Sequence, residues 1–238
     1  MSAASLVMGY KMTNDTGFAP NPFHGNLTLA TCKPSIRRAR QQGDWIAGFV
    51  SRQLVRNAAA AGVKIQYMGL IYLAEITEKP LPLGEYFQDS RFAGKKPDLG
   101  SSSLRLRCGD NIYSVKANGC FRWWPNDHHD SSAMPHDTGG RNALISSRFW
   151  YFGRNAFTPN EGWQSFLPEP ISGARNFQCP QSFLQRVLER FSELDIHPGV
   201  QADPCIWEVS CAGDCSKVKA VHEEQGKASY FAGPRGYC

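Results

Sequence analysis

The sequence has little that would direct the chain to a membrane or out of the cell. Its N-terminal segment, MSAASLVMGYKM, has no basic region, and its apolar stretch is too short for a signal sequence or a membrane-spanning helix. We therefore expect a cytoplasmic protein with no membrane partner. Thiols stay reduced in that compartment, so the eight cysteines do not predict a disulfide framework.

Internal repeats of solenoid length are also missing, and the only low-complexity run is four alanines at 58–61. These absences exclude a repeat array and a chain dominated by disorder. Apolar residues make up 42% of the 238 residues and aromatic residues 12%, which is enough to bury a sizeable core. We predict one domain over residues 1–200 and a cysteine-bearing extension over residues 201–238.

The cysteines of this extension lack the C-x-x-C pairs that are typical of structural zinc sites. Four of the eight cysteines lie there, namely Cys205, Cys211, Cys215 and Cys238. We predict no cofactor for the domain. Zinc held by these four thiolates remains an alternative to unbound thiols.

Acidic residues are scarce in the first third of the chain. Residues 1–66 contain eight lysines and arginines against two aspartates, an excess of six positive charges, whereas the net charge of the whole chain is +5. Such a bias predicts a partner that carries phosphate, which would be DNA or a nucleotide. Arg37, Arg38 and Arg40 are the candidate phosphate-binding residues, although a solvated basic helix accounts for them as well.

Hydrophobic periodicity predicts a mixture of strands and helices. Alternating or continuous apolar residues predict strands at Leu27–Thr31, Trp45–Val50, Leu70–Thr77, Asn111–Val115 and Ala143–Phe152. Helical patterns cover Ser35–Gln42, Leu54–Ala61 and Pro180–Leu194, and the last of these should pack against a sheet. The segment Pro125–Gly140 reads as a long loop without regular structure, which is usually functional or mobile.

One resemblance concerns the fold. The Gly43-Asp44 turn leads into the strand Trp45–Phe49, and the strand in Gly69–Ile76 is followed by the acidic and aromatic segment Glu85–Asp89. This order resembles the PUA-like superfamily, in which EVE, YTH and ASCH members have a "GD" turn and a "GlaeV" strand. The resemblance implies an α+β fold, a small, curved and mainly antiparallel β-barrel with peripheral helices. Members of the superfamily commonly hold an altered base in a pocket.

A narrower resemblance is to the family called nucleotide modification associated domain 2. The residues that carry it are Tyr10–Gly25, Leu27–Pro34, Ile36-Arg37, Gly43–Ile46, Phe92 with Lys95–Pro97, Gly109–Tyr113, Leu144–Ser146 and Tyr151–Gly153. The similarity covers about residues 8–200, and its first 25 residues, Tyr10–Pro34, which we call the opening block, are specific. It implies a role in modification of DNA bases, in bacteria, phages and base-modification gene clusters.

The opening block is unusual on physical grounds too. Its turns present hydroxyl, amide, carboxylate, ammonium and imidazole groups on Lys11, Thr13, Asp15, Asn21 and His24. We predict that these side chains face one cavity for a polar ligand, closed on its other side by Cys32-Lys33 and Asp110-Asn111. A long ordered loop that caps its own turns is the alternative.

A nucleobase pocket needs hydrogen-bonding partners for the base edge and aromatic faces for stacking. The candidates for the edge are Asp15, Asn21, Asp110 and Asn111. The candidates for the faces are Phe18, Trp45, Trp123 and Trp124, although each aromatic taken alone belongs more often to a core.

The candidate catalytic residues are Cys32 beside Lys33, as an activated thiol, and Lys11 with Asp15, as a proton-transfer pair. His128-His129-Asp130 and His136-Asp137 have metal-ligating groups, but their irregular spacing favours surface histidines over a metal site.

Three functions are consistent with these features: a module that recognises a modified base, an enzyme that acts on a base or a free nucleotide, and an interaction protein whose cysteine tail holds a metal. The sequence does not choose between reader and enzyme, and it leaves the base and the oligomeric state open.

Overall fold

The computed structural model describes residues 7–163, 166–167 and 176–207. The strands in this part of the chain are β1 (Val7–Met12), β2 (Leu27–Leu29), β3 (Trp45–Val50), β4 (Leu70–Glu75), β5 (Leu81–Pro82), β6 (Tyr113–Val115), β7 (Phe121–Trp123), β8 (Asn142–Ser146), β9 (Arg148–Tyr151), β10 (Asn176–Gln178) and β11 (Gly199–Val200).

The α-helices are α1 (Pro34–Ala39), α2 (Arg52–Ala60), α3 (Leu83–Gln88), α4 (Leu104–Arg107), α5 (Met134–Thr138) and α6 (Gln181–Glu193), and 3-10 turns lie at Ser90–Lys95, Ser131–Ala133 and Gly153–Asn155. The predicted helices match α1, α2 and α6 to within a few residues. Pro34 begins α1 at the position where its missing N–H costs nothing. The segment Pro125–Gly140, predicted to lack regular structure, instead contains a 3-10 turn and α5.

The largest sheet is mixed, with strand order β10-β1-β3-β4-β9-β11. Its β1–β3 and β9–β11 pairs are parallel and the other pairs are antiparallel. The strand predicted at Trp45–Val50 is confirmed with both of its ends, and the one predicted at Leu70–Thr77 ends two residues earlier at Glu75. Because helices or loops cover both faces, β3 is buried along its whole length.

Two predicted strands differ from the structure. The strand predicted at Leu27–Thr31 ends at Leu29 and lies in a second sheet, of order β2-β8-β5. The single strand predicted at Ala143–Phe152 is two strands, β8 in the second sheet and β9 in the first. The chain turns at Ser147, whose N–H donates to Thr77 Oγ1 at 2.9 Å, while Ser146 Oγ donates to the carbonyl of Arg148. These side-chain hydrogen bonds hold a sharp bend that hydrophobic pattern alone does not reveal.

Helix α6 packs on one face of the large sheet, as predicted. Its Phe183, Val187 and Phe191 are almost fully buried against a layer that includes Trp45 and Trp150. Burial of each such side chain stabilises the fold by about 1.5–3 kcal/mol. The opposite face of the sheet forms a separate core with β2 and α2.

The three sheets are the two above and the β6–β7 hairpin, and the large sheet does not close on itself in the described residues. The PUA-like barrel therefore stays a prediction. None of the helices in these segments has the length and apolar content needed to cross a membrane.

The start of the predicted C-terminal extension packs closely against the domain. The N–H of Gln201 donates to the carbonyl of Tyr151 at 2.8 Å, Cys205 is fully buried, and Trp207 contacts the ring of Phe23 at a centroid distance of 5.3 Å. The other three cysteines of the extension, Cys211, Cys215 and Cys238, lie outside the described residues. Zinc binding by the four cysteines therefore stays a prediction. Position 200 as a domain boundary remains a prediction.

Candidate functional site

A cavity of about 550 Å³ opens where the three sheets meet. Residues from segments 10–19, 32–35 and 127–136 line it, together with Asn176. Each of the three segments contains or follows the end of one strand, β1, β2 or β7, and each strand comes from a different sheet. The volume lies within the range of small-ligand pockets, so a nucleotide-sized molecule fits.

The turn after β2 presents Cys32 to this cavity. Cys32 and Lys33 both have left-handed backbone conformations, with φ of 55° and 42°, which residues other than glycine adopt at an energetic cost. The N–H of Cys32 donates to Asp137 Oδ1 at 2.7 Å, and its carbonyl accepts from Arg37 Nε at 2.7 Å. Both hydrogen bonds fix the strained turn and therefore the direction of the thiol.

His129 faces the thiol from the loop after β7. Its Nε2 lies 3.5 Å from Cys32 Sγ, and its Nδ1 lies 2.6 Å from Asp137 Oδ2. The Asn126 side chain accepts from the N–H groups of His128 and His129, and donates to the carbonyl of His129. Trp123 Nε1 donates to the same carbonyl at 3.2 Å. The imidazole is thus held in one orientation by its backbone and by its ring.

Asp137 completes the cluster from α5. Its side chain is fully buried and accepts hydrogen bonds from the Cys32 amide and from the Tyr113 hydroxyl, the latter at 2.8 Å. Burial alone would raise the pKa of Asp137, but its hydrogen bond and charge interaction with His129, together with the Tyr113 and Cys32 donors, hold the pKa below its ordinary value. Asp137 is therefore a carboxylate at neutral pH.

The interaction with Asp137 in turn makes His129 strongly basic. Burial opposes the charged imidazolium, but hydrogen bonding and charge from Asp137, with a further contribution from Cys32, raise the pKa of His129 to about 10. The neighbouring His128 behaves in the opposite way, since burial lowers its pKa to about 4. At neutral pH one imidazole at the cavity is therefore protonated and the other is neutral.

The cluster of Cys32, His129 and Asp137 has two chemical readings. Each residue offers a donor atom, and the three atoms lie within 4.8 Å of one another, which is compatible with a metal ion. However, Asp137 already accepts hydrogen bonds from Cys32, Tyr113 and His129, so its oxygens are engaged by protein donors. The geometry fits better a nucleophilic thiol, an imidazole that holds the thiol proton and a carboxylate that orients the imidazole.

Aromatic and polar groups surround this cluster. The ring of Phe18 stacks on the imidazole of His128 at a centroid distance of 4.6 Å, and Lys33 Nζ lies 4.5 Å from the centroid of the Tyr10 ring. Thr16 Oγ1 lies 3.5 Å from His128 Nδ1. The lining therefore provides a π face, hydroxyl groups and an ammonium group beside the thiol.

The comparison with protein families bears on what such a cavity holds. The model of the family described as nucleotide modification associated domain 2 matches residues 5–211. The chain belongs to this family. The match spans all the residues that form the cavity and its Cys–His–Asp cluster, so the nucleotide modification associated domain 2 contains them both. No curated protein and no solved structure gives a significant match.

The structure places some of the predicted site residues of this nucleotide modification associated domain at the cavity. Cys32 and Lys33 line it, as do Thr13 and Phe18. Lys11 lies outside the lining: it is half-buried near the end of β1, with its Nζ 5.7 Å from the centroid of the Tyr67 ring. The roles predicted for these residues remain predictions.

Asp15 does not face the cavity as predicted. Its carboxylate is buried and accepts from the Tyr151 hydroxyl at 2.5 Å and from the Cys205 N–H at 3.0 Å. Burial raises its pKa. Asp15 therefore holds the segment around Cys205 against the domain, and it cannot form the predicted proton-transfer pair with Lys11 in a shared cavity.

The cavity is not lined by three further candidates, Asn21, Asp110 and Asn111. Their side chains are not exposed, so they do not present hydrogen-bonding groups to the edge of a base as predicted. Asn21 and Asp110 are fully buried, and Asn111 is 1% exposed. The Asn21 side chain accepts from Lys95 Nζ and donates to the carbonyl of Cys108, and the Asn111 side chain donates to the carbonyl of Tyr86. Asp110 accepts from Thr28, Tyr86 and the Ala30 amide. These polar groups connect loops inside the domain.

Trp45 is a core residue, since it is 3% exposed and stacks on Trp150. Its predicted role as a stacking face for a base does not fit this burial. His24 is exposed and lies against Gly94, outside the cavity lining. Trp124 is 37% exposed on the β6–β7 hairpin, also outside the lining.

The predicted phosphate-binding arginines do not form one surface. Arg37 is fully buried, and its guanidinium donates to the carbonyls of Cys32, Asp137 and Asn142. Arg40 lies 3.6 Å from Asp44 in an ion pair. Only Arg38 is exposed, and it donates to the carbonyl of Gly139 at 3.3 Å. The basic segment thus braces the turn that carries Cys32.

Sequence reasoning missed the partnership of His129 and Asp137 with Cys32. From the sequence alone, both residues are possible metal ligands, and their irregular spacing favours surface histidines. The informative signal was the long polar segment Pro125–Gly140, which is unusual inside a compact domain. Its length pointed to function, but only the fold brings it to a cysteine about a hundred residues away.

Proposed function

We propose that this protein is an enzyme of nucleotide modification that binds a nucleotide in the cavity and acts on it through Cys32. The observation that carries the proposal is the geometry of Cys32, His129 and Asp137. Cys32 Sγ lies 3.5 Å from His129 Nε2, and His129 Nδ1 lies 2.6 Å from Asp137 Oδ2. Membership of the nucleotide modification associated domain 2 family supports the substrate class.

The proposed step is addition of Cys32, as a thiolate, to an electrophilic carbon of the base. The Sγ–carbon bond forms as the ring double bond at that carbon breaks, and the electron pair of the double bond moves onto the ring. His129 holds the proton of the thiol at Nε2 as an imidazolium, which Asp137 stabilises at Nδ1, and it then donates this proton to the ring so that the adduct is neutral. With a pKa of about 10, the ring of His129 carries this proton at neutral pH. No metal takes part in this step.

The lining supports binding of a nucleotide beside the thiol. A base packed on the edge of the Phe18–His128 pair would lie against aromatic rings, and His128 stays neutral there because its pKa is about 4. Lys33 supplies a positive charge for phosphate at the same wall as Cys32. The strained turn places the reactive group and the cation next to each other.

The proposal is tested by intact-mass spectrometry of the protein mixed with each of the four deoxynucleoside monophosphates and with a short single-stranded DNA. We expect an added mass that disappears in Cys32→Ser and persists in Cys120→Ser. Cys120 is a suitable control because it is half-buried and not in a disulfide, as is Cys32.

Three outcomes would contradict the enzyme. Adduct formation that survives Cys32→Ser would remove the nucleophile. Tight nucleotide binding that gives neither an adduct nor a product, and that is unchanged in Cys32→Ser, would favour a reader of bases. One equivalent of zinc lost in Cys32→Ser would favour the metal reading of the same three side chains.

A further inference from the structure

A second polar and aromatic feature lies on the outer face of the β6–β7 hairpin. Side chains two residues apart in an extended chain point to the same side, which applies to Arg122 and Trp124. Tyr113 and Trp123 occupy the other side, where they bond to Asp137 and to the carbonyl of His129. The inner face of the hairpin thus supports the candidate site, and its outer face is a separate surface.

Four side chains form this surface, and we call it the Trp124 surface: Phe87, Lys96, Arg122 and Trp124. Lys96 Nζ lies 4.1 Å from the centroid of Phe87, whose ring is stacked on Trp124 at 5.5 Å and 22°. The guanidinium carbon of Arg122 lies 4.4 Å from the centroid of Trp124. Phe87 is half-buried and the other three are exposed.

The positive charges of this surface are not balanced by carboxylates. In the part of the chain that the structure describes, neither Lys96 nor Arg122 forms an ion pair. Arg91 makes an informative contrast, because it also lies over an aromatic ring but pairs with Asp89 and Glu78. The Trp124 surface therefore combines flat groups for stacking with two uncompensated cations.

We propose that the Trp124 surface binds single-stranded DNA. Aromatic rings and guanidinium planes stack on bases of any sequence, while lysine and arginine contact the backbone phosphates. A duplex fits less well, since its paired and stacked bases do not expose their faces. The partner is thus a strand whose bases are accessible.

The position of this surface gives it a part in the reaction. Trp124 precedes His129 by five residues, so their Cα atoms are at most about 18 Å apart. The cavity is therefore within reach of a nucleotide a few positions along a strand that is held on Trp124. This link rests on the proposed function and specifies its substrate as a base within a DNA strand.

The test is fluorescence anisotropy with a labelled single-stranded oligodeoxynucleotide, measured over a range of salt concentrations. Trp124→Ala should weaken binding at least about fivefold, and Trp124→Phe should restore part of the loss, because stacking accounts for the contact. Arg122→Ala and Lys96→Ala should each lower the salt slope by about one. Arg91→Ala, the matched control, should leave binding unchanged.

Unchanged binding in Trp124→Ala would overturn the inference, as would tighter binding of duplex DNA or of an RNA strand of the same sequence. Measuring adduct formation at Cys32 in the same variants distinguishes failure of this inference from failure of the proposed function. We expect Trp124→Ala to react normally with a mononucleotide and poorly with the oligonucleotide. Loss of strand binding with an intact mononucleotide reaction identifies the surface, whereas absence of any adduct in the wild type refutes the enzyme alone.

Discussion

Two polar clusters of this domain differ in what their hydrogen-bonding groups face. In the first, Lys95 Nζ is buried and donates to Asn21 O and Asn21 Oδ1 at 2.9 Å and to Asn26 O at 2.6 Å. In the second, Cys32 Sγ and His129 Nε2 meet at the wall of a cavity. Polar groups in glycine- and proline-rich loops therefore stabilise the fold in one place and are available to a ligand in another.

The largest expected effect sharpens this contrast through two lysines. Lys95→Met removes one donor from each of three oxygen acceptors and the positive charge that lowers the pKa of buried Asp110, so we expect the free energy of unfolding to fall by about 3 kcal/mol. Lys33→Met, at the cavity, removes a cation over the Tyr10 ring and should cost about 1 kcal/mol. Urea denaturation of both variants checks the difference, and equal losses would mean that the two sites are built alike.

The next effect concerns the rate of reaction. Asp137→Asn keeps the size of the side chain but removes the charge that orients and stabilises protonated His129. We expect the rate of adduct formation at Cys32 to fall about a hundredfold. Asp130→Asn, in the same loop but exposed, should react at the wild-type rate. If both variants react equally fast, the carboxylate has no part in the chemistry.

The smallest effect distinguishes the two adjacent histidines. Burial lowers the pKa of His128 from 6.5 to about 4, so the unfolded chain binds the proton more tightly than the folded one. As the pH falls from 6.5 to 4, stability should be lost more steeply in the wild type than in His128→Phe, by at most about 1.4 kcal/mol per pH unit. Parallel curves of unfolding free energy against pH would show that His128 does not titrate in this way.

The sequence predicted the elements whose pattern is local. The strand Trp45–Val50 is a continuous apolar run because both of its faces are buried, and helix α6 has its apolar residues on one side. The split between β8 and β9 was missed because two hydroxyl side chains form the bend. A hydrophobic pattern contains no information on such hydrogen bonds.

The candidate site was predicted only in part, for a physical reason. Cys32, Lys33 and Phe18 were expected at a cavity, and they line one. His129 and Asp137 reach Cys32 from 97 and 105 residues away, so their convergence depends on how the sheets pack. Asn21 and Asp110 were expected there because their side chains are polar, but their hydrogen bonds are used inside the domain. Residue type alone does not distinguish these cases.

The central claim is that the fold makes Cys32 the reactive thiol of this domain, and alkylation tests it most directly. Peptide mass spectrometry would follow the rate of labelling by iodoacetamide at Cys32 and at the equally half-buried Cys120. We expect Cys32 to react at least about ten times faster, to lose this advantage in His129→Asn, and to be protected by a deoxynucleoside monophosphate. Equal rates at the two cysteines, unchanged by His129→Asn and by nucleotide, would contradict the account.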